Sequence, residues 1–464
     1  MAYGSQRRAE ADRIASYESH KRRLLRDLAA LPPDVPVRLA KSTSNLFRSR
    51  GGGGPRLDVS GFDRVLSVDT AARTADVGGM TTYEHLVDAT LPHGLMPLVV
   101  PQLKTITIGG AVAGLGIESS SFRNGMPHES VISMEILTGE AAVVEASPTG
   151  DHRDLYQGFP NSYGSLGYAL RLTIELEPVS SFVRLRHVRH RSPEAFFGDL
   201  ATICSDRSYE DRAVDFVDGT IFSPDEHYIT LGTFVDDAPA TSDYTGMDIY
   251  YRSIRRRSED FLTTRDYLWR WDTDWFWCSR AFGVQNPSVR RMIPRRYLRS
   301  DTYWRLIDLD RRWRLSARLD RLRGKPRREA VIQDVEIPID RAAAFGDFFH
   351  RRIGITPIWT CPLRQRDPDT TWPLYVLDPR ALYVNFGFWS SVPLRDTERD
   401  GTYNRLIENE VEDLGGRKSL YSTSFYSRDD FWRIYNGAEY DLLRKTYDPR
   451  GRLPDLYDKC VAGS

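Results

Sequence analysis

The chain lacks an excess of either charge: its 464 residues hold 64 Lys or Arg against 64 Asp or Glu, for a formal net charge of zero. Binding to nucleic acid through overall charge is excluded. Long apolar runs are also missing. No window approaches the roughly 18 consecutive apolar residues of a spanning helix. The first thirty residues have no apolar core of a secretory leader, so a cytoplasmic location is expected. Cysteine is scarce: Cys204, Cys278, Cys361 and Cys460 lie 74, 83 and 99 residues apart. That spacing matches neither a disulfide framework nor a close-set zinc pattern, and buried thiols are expected. Among nine histidines, His187 and His190 are near neighbours, but in the run FVRLRHVRH, read as a strand, they point to opposite faces. No metal site is expected. Lysine is rare as well: seven lysines leave 57 arginines among the 64 basic residues, the bias of a GC-rich genome, which points to a bacterial source.

What is present describes a folded protein. Hydrophobic residues make up 41% and aromatic residues 11% of the chain, well outside the disordered regime and enough for two or three packed domains. Residues 1–30 read as an amphipathic helix carrying Ile14, Leu24, Leu25 and Leu28, ended by Pro32 and Pro33. Residues 1–50 carry eleven Lys or Arg against five Asp or Glu. This is either a solvated helix packed on one side or a surface that leans on anionic lipid. From Val37 to Val144, short strands (VRLA, LDV, VLSVD, TADVG, VISMEIL, AVVEA) alternate with turns and one helix, TTYEHLVDATL, which is an α+β pattern.

Two loops here are built for anions. Residues 41–54, KSTSNLFRSRGGGG, put hydroxyls, an amide, cations and four glycines after a short strand, where several backbone N–H groups can converge. Residues 105–121, TITIGGAVAGLGIESSS, follow an apolar strand with four glycines and a hydroxyl cluster. Glycine lets a ligand approach the backbone, and a helix starting near Gly110 would aim its N–H groups at negative charge. The nearest match to the dinucleotide fingerprint, Gly114, Gly116 and then Ser119, lacks the third glycine, and no Lys-Ser/Thr ending makes a P-loop. Two such loops about sixty residues apart can clamp one diphosphate between subdomains.

The run PQLKTITIGGAVAGLGIESSSFRNGMPHESVISMEILTGEAAVVEAS, followed by GSLGYALRLTIELEP, resembles the flavin domain of the vanillyl-alcohol-oxidase type, with its PCMH-type FAD domain. Within that group it resembles the Δ24-sterol reductase branch, through GIESSS. VIQDVEIPI, PIWTCPL and FYSRDDFWRIYNGAEYDLLRKTYDPRGRLPDLYDK extend the likeness over nearly the whole chain. The resemblance implies an N-terminal helix (1–30), a two-subdomain FAD-binding domain (31–178), an α+β substrate cap (179–415) and a C-terminal segment that completes the flavin site (416–464). It assigns Ser42, Thr43, Ser44 and Asn45 to a first diphosphate loop. Thr107, Ile108, Gly109, Gly110, Gly114, Gly116, Ile117, Glu118, Ser119 and Ser120 fall in a second, and Gly164 and Gly167 near the adenosine. Many relatives tether the flavin through a first-loop histidine, but residues 37–54 hold neither histidine nor cysteine. Non-covalent FAD is expected.

The resemblance also implies reduction of a lipid double bond fed by NADPH, similar to the bacterial methylene-fatty-acyl phospholipid reductases. An S-adenosylmethionine-dependent methyltransferase of the same pathway is the implied partner. The alternatives are Δ24-sterol reduction, an FAD-dependent alcohol oxidase, and a lipid-binding flavin-fold scaffold without turnover. An isolated C=C bond has no carbonyl to polarise it, so a proton must arrive before or with hydride, and a general acid is required. Glu118 is the first candidate, since desolvation beside a lipid pocket would raise its pKa; the other reading makes it an acceptor for a loop amide or ribityl hydroxyl. Tyr421 and Tyr426 are further candidates. In the cap, Tyr267 to Trp304 holds five of ten tryptophans, Trp269, Trp271, Trp275, Trp277 and Trp304, among arginines. Such a segment is either an interfacial edge that docks peripherally on the inner face of the cell membrane or an aromatic core with arginines reaching outward.

Overall fold

The computed structural model describes residues 2–41, 45–48, 54–313 and 326–461. Ser42, Thr43 and Ser44 of the first loop lie outside the described residues. The N-terminal helix spans Ala2–Ala29 and packs on one side: Tyr17, Leu24 and Leu28 are buried against Phe62, Leu66, Tyr168 and Leu453. Tyr17 Oη and Lys21 Nζ both donate to Glu135 Oε2, at 2.9 and 2.8 Å, which pins the helix to the first sheet.

That sheet is antiparallel, in the order Val65–Asp69, Thr74–Gly78, Tyr168–Pro178, Val131–Leu137, Val143–Ala146, with Leu95–Pro97 paired to the far end of Tyr168–Pro178. The second sheet has eight strands, in the order Glu259–Thr263, Phe182–His190, Glu226–Val235, Phe216–Ser223, Ile358–Leu363, Tyr383–Pro393, Arg328–Pro338 and Arg417–Lys418. The α+β class read from the sequence is the architecture observed.

Period-2 alternation divides the second sheet's faces. Along Tyr383–Pro393, Val384, Phe386 and Phe388 join the core under the helices Pro193–Asp206, Ala342–Arg352 and Thr402–Asp413. Asn385 and Trp389 face the other way, toward a cavity. His187 and His190 fall on opposite faces as expected, His187 near Tyr250 and His190 against Phe196.

The tryptophan-rich stretch is core. Trp269, Trp271, Trp275, Trp277 and Trp304 are all buried, which corrects the interfacial reading of these rings. Two of its arginines do not reach outward either: Arg270 pairs with Asp218 at 2.8 Å and Arg290 with Asp274 at 2.6 Å, all four side chains buried. Buried guanidinium needs a paired carboxylate, and the interleaved Asp and Trp supply pairing and packing together. Among the described residues no helix is long and apolar enough to cross a membrane.

Candidate active site

A cavity of about 990 Å³ lies between the two sheets. Its first end is made by the glycine-rich loops. Thr107 caps the short helix Ile108–Ala113, its Oγ1 accepting from Gly110 N at 3.2 Å, and the same oxygen accepts from Lys41 Nζ at 3.0 Å. Gly109 is forced by packing, since a Cβ there would sit 2.7 Å from the carbonyl oxygen of Gly79. A Cβ at Gly116 would meet Pro127 at 2.9 Å. Gly164 and Gly167 have φ of 75° and 151°, conformations that side chains disfavour.

The C-terminal segment closes this end. Phe47 N donates to the Tyr421 carbonyl at 2.9 Å, so residues 45–48 and the tail run side by side. Arg48 donates to the carbonyls of Leu420 and Lys459, at 3.0 and 2.6 Å, and lies over the Tyr163 ring. Lys459 Nζ donates to the Tyr163 carbonyl at 2.7 Å. Burial, then the charge of Arg48, pull the Lys459 ammonium down to about 7. A buried guanidinium and a half-buried amine that titrates near neutrality therefore stand at one wall of the cavity.

The opposite end is built by the second sheet. In register across three strands lie Asp334, Gly387 and Trp359, all facing the cavity side. Trp389 stacks on Phe276 at 4.3 Å between centroids, and Trp275 stacks on Phe47 at 5.4 Å. Trp389 Nε1 donates to Tyr421 Oη at 2.9 Å, and the Tyr421 hydroxyl stands near enough to the Asp334 carboxyl to lower its pKa. Asn385 Nδ2 reaches Asp334 Oδ1 at 3.4 Å. Burial pushes Asp334 up to about 7, against the opposing hydrogen bonds of Asn385 and Tyr421.

Glu118 lines the cavity between these ends, with its carboxylate held by one residue: Oε1 accepts from Gln102 N at 2.8 Å and Oε2 from Gln102 Nε2 at 2.5 Å. Burial raises it to about 8. Gln102 Oε1 is buried without a donor, so turning the amide over would let it accept the proton of a neutral Glu118.

Of the residues singled out in the sequence, Asn45, Thr107, Gly109, Gly110, Gly114, Gly116, Ile117, Glu118, Gly164, Gly167 and Tyr421 line this one cavity. Four others turn away. Ile108 is in the core, Ser119 Oγ pairs with Tyr267 Oη at 2.8 Å, and Ser120 Oγ donates to the Leu98 carbonyl at 2.8 Å. Tyr426 packs on Tyr435. Sequence reasoning missed Arg48, Lys459, Asp334, Asn385 and Trp389. The signal for Asp334 was an acid in the alternating run VIQDVEIPI.

Residues 24–147 match the FAD binding domain family. The chain is 26% identical over 418 residues to the Δ24-sterol reductase of Rattus norvegicus, covering 85% of this chain and 75% of the relative. It is 23% identical over 448 residues to that of Arabidopsis thaliana, covering 88% and 76%. To the decaprenylphosphoryl-β-D-ribose oxidase of Mycolicibacterium smegmatis it is 34% identical over 134 residues, 29% of each chain.

Proposed function

For an FAD-dependent oxidoreductase with Δ24-sterol reductase homologues along most of its length, we propose the reduction of an isolated carbon–carbon double bond in a lipid. The substrate of this reading is a methylene-branched fatty-acyl phospholipid, the electron donor NADPH, and the product the methyl-branched chain. The observation that carries it is the two-ended cavity, in which a glycine-lined, cation-flanked end continues past Glu118 into an aromatic end that carries the carboxyl of Asp334.

The residues present fit FAD. The cavity stands at the top of the volume range of small-molecule sites. Gly109 and Gly110 put no side chain into it, and Lys41, Arg48 and Lys459 line it, basic side chains suited to a diphosphate. Its described lining includes no histidine or cysteine, which suits an untethered flavin. These loops and cations would hold the cofactor, with Gly164 and Gly167 beside them. When bound and reduced, FAD supplies a hydride equivalent.

The chain's own contribution is to exclude water, to seat an apolar chain against Trp275, Phe276, Trp359 and Trp389, and to hold a proton on a carboxyl. Protonating a 1,1-disubstituted or trisubstituted alkene leaves a tertiary cation, and aromatic faces attract cations. The alcohol-oxidase reading draws on a relative that covers 29% of the chain, against 85% for the rat reductase.

The test is a visible spectrum of the purified protein, anaerobic addition of NADPH, and then lipids. Bleaching of the flavin band, reversed by methylene phospholipid and not by a Δ24 sterol, is the expected result. Reversal by the sterol alone assigns the competing substrate. Peroxide formed from an alcohol, with no response to either alkene, overturns the reductase reading.

A further inference from the structure

We propose that Asp334 is the proton donor of this alkene reduction, with Tyr421 and Gly387 setting its carboxyl on the aromatic wall of the cavity. The proposal rests on the functional reading above and adds the residue that makes the reaction feasible.

Four carboxyls line the cavity. Asp455 caps the helix Leu456–Cys460 and Asp458 pairs with Arg428, and the surroundings of the other two, Glu118 and Asp334, differ. Both oxygens of Glu118 are engaged by Gln102, and the residue is 7% exposed. Asp334 is only half-buried because it opens on the cavity. Its neighbour in register, Gly387, makes room for it: a Cβ at that position would lie 2.5 Å from Asp334 Oδ1 and 2.7 Å from the Trp389 ring. The carboxyl thus leans over a gap in the sheet face, with Trp359 on the far side and Trp389 alongside.

The hydrogen-bond directions are fixed from outside. The Trp389 indole can only donate, so Tyr421 Oη accepts from it and has its own proton available to turn toward the nearby Asp334 carboxyl. The charged groups around the carboxyl are few. Glu336, on the same strand face, is hydrogen-bonded by Tyr375 and held neutral by burial. Tyr163 acts on Tyr421. Lys418, on the adjoining edge strand, points away to Glu408, at 2.6 Å. No described cation is paired with Asp334, so its burial is uncompensated and the acid form persists near neutrality.

In the step itself the Asp334 O–H bond breaks and the alkene π pair forms a C–H bond, leaving the adjacent carbon cationic among the aromatic rings. The hydride equivalent of the reduced flavin, two electrons and one proton, completes the second C–H bond. Water returns a proton to the carboxylate.

Asp334→Asn is the direct test. The variant should keep its flavin spectrum and its reduction by dithionite, while reoxidation of the reduced flavin by the alkene lipid slows about 100- to 10,000-fold. A second readout needs no turnover. A long-chain tertiary amine, protonated at neutral pH, mimics the cation; its affinity for the wild type should rise about tenfold as Asp334 ionises, and that rise should vanish in Asp334→Asn. If Asp334→Asn does not fold, Tyr421→Phe serves. Losing a hydrogen bond that favours the carboxylate moves the midpoint of the amine-binding profile to higher pH. An alkene step at wild-type rate in Asp334→Asn, or an unmoved midpoint in Tyr421→Phe, overturns the assignment. If wild-type protein reduces no alkene, the functional reading falls first and takes the donor role with it; if wild type and Asp334→Asn both reduce it, only the assignment falls.

Discussion

The two ends of the cavity are built on different principles. The glycine-lined end is a pair of contiguous loops in which backbone groups do the work: Gly109 sits against Gly79, Thr107 caps its own helix, and Lys41 reaches the cap. The aromatic end is made by side chains from strands far apart in sequence, Asp334, Trp359 and Trp389, brought level by sheet register. The first end recognises a group common to many flavoproteins. On the proposed reading the second decides which bond is reduced, and there the Trp389–Tyr421 hydrogen bond joins the second sheet to the C-terminal tail.

The sharpest way to break this comparison is to exchange the roles of its two acids. Glu118→Gln should stay within about tenfold of wild type in the alkene step, because Gln102 still has an oxygen to bond, whereas Asp334→Asn loses the 100- to 10,000-fold stated above. Single-turnover reoxidation of both variants measures this, and the reverse pattern moves the chemistry to the glycine end.

Next in size is the buried ion pair behind the aromatic end. Lys418 and Glu408 are both buried and 2.6 Å apart, so Lys418→Met leaves an unpaired carboxylate and should cost about 3–5 kcal/mol, read as a lower denaturant midpoint. The aromatic end should loosen before the glycine end does, visible as altered tryptophan emission.

A pH titration of stability separates the acids from the rest. Glu118 and Asp334 are raised to about 8 and about 7 from ordinary values of 4.5 and 3.8. Above the ordinary value the folded state holds protons that the unfolded chain has released, so the contribution of these two acids is full below about pH 4 and declines as pH rises toward 8. Each acid contributes at most about 1.4 kcal/mol per pH unit within its window. The buried histidines His128, His187 and His227, lowered to about 3 to 4, act in the opposite sense on wild type and variants alike, so the readout is the difference. Between pH 5 and 8 the denaturant midpoints of Glu118→Gln and of Asp334→Asn, each taken relative to wild type, should rise with pH.

The smallest effect belongs to the glycine end. Thr107→Ala removes the helix cap and the contact to Lys41, and should cost about 1 kcal/mol. Flavin affinity should weaken with it while the alkene rate per bound flavin stays unchanged. A changed rate at full flavin occupancy would show that the two ends are not separable.

The sequence made the glycine end legible because backbone demands leave local marks. A residue at φ 75°, such as Gly164, or one pressed against another carbonyl, such as Gly109, has to be glycine, so the loops appear as strings. Contiguity misled at the edges of one string. Ile108, Ser119 and Ser120 belong to the same run, but the chain turns there, and their side chains serve the core, Tyr267 and Leu98. The tryptophan-rich segment was ambiguous for a related reason: rings beside arginines have the same composition in a core as at an interface, and only the pairing of Arg270 with Asp218 and Arg290 with Asp274 separates them.

By itself the sequence determined the α+β class, the amphipathic N-terminal helix, the glycine and hydroxyl loops and the lack of a tethering residue in the first of them, since each is written within a few neighbouring positions. The tertiary structure alone decided how each acid facing the cavity is held, which basic side chains stand at its wall and that the tryptophans are interior. Those facts depend on strand register and on a tail folding back across hundreds of residues, and alternation along one strand cannot say which strand will lie beside it.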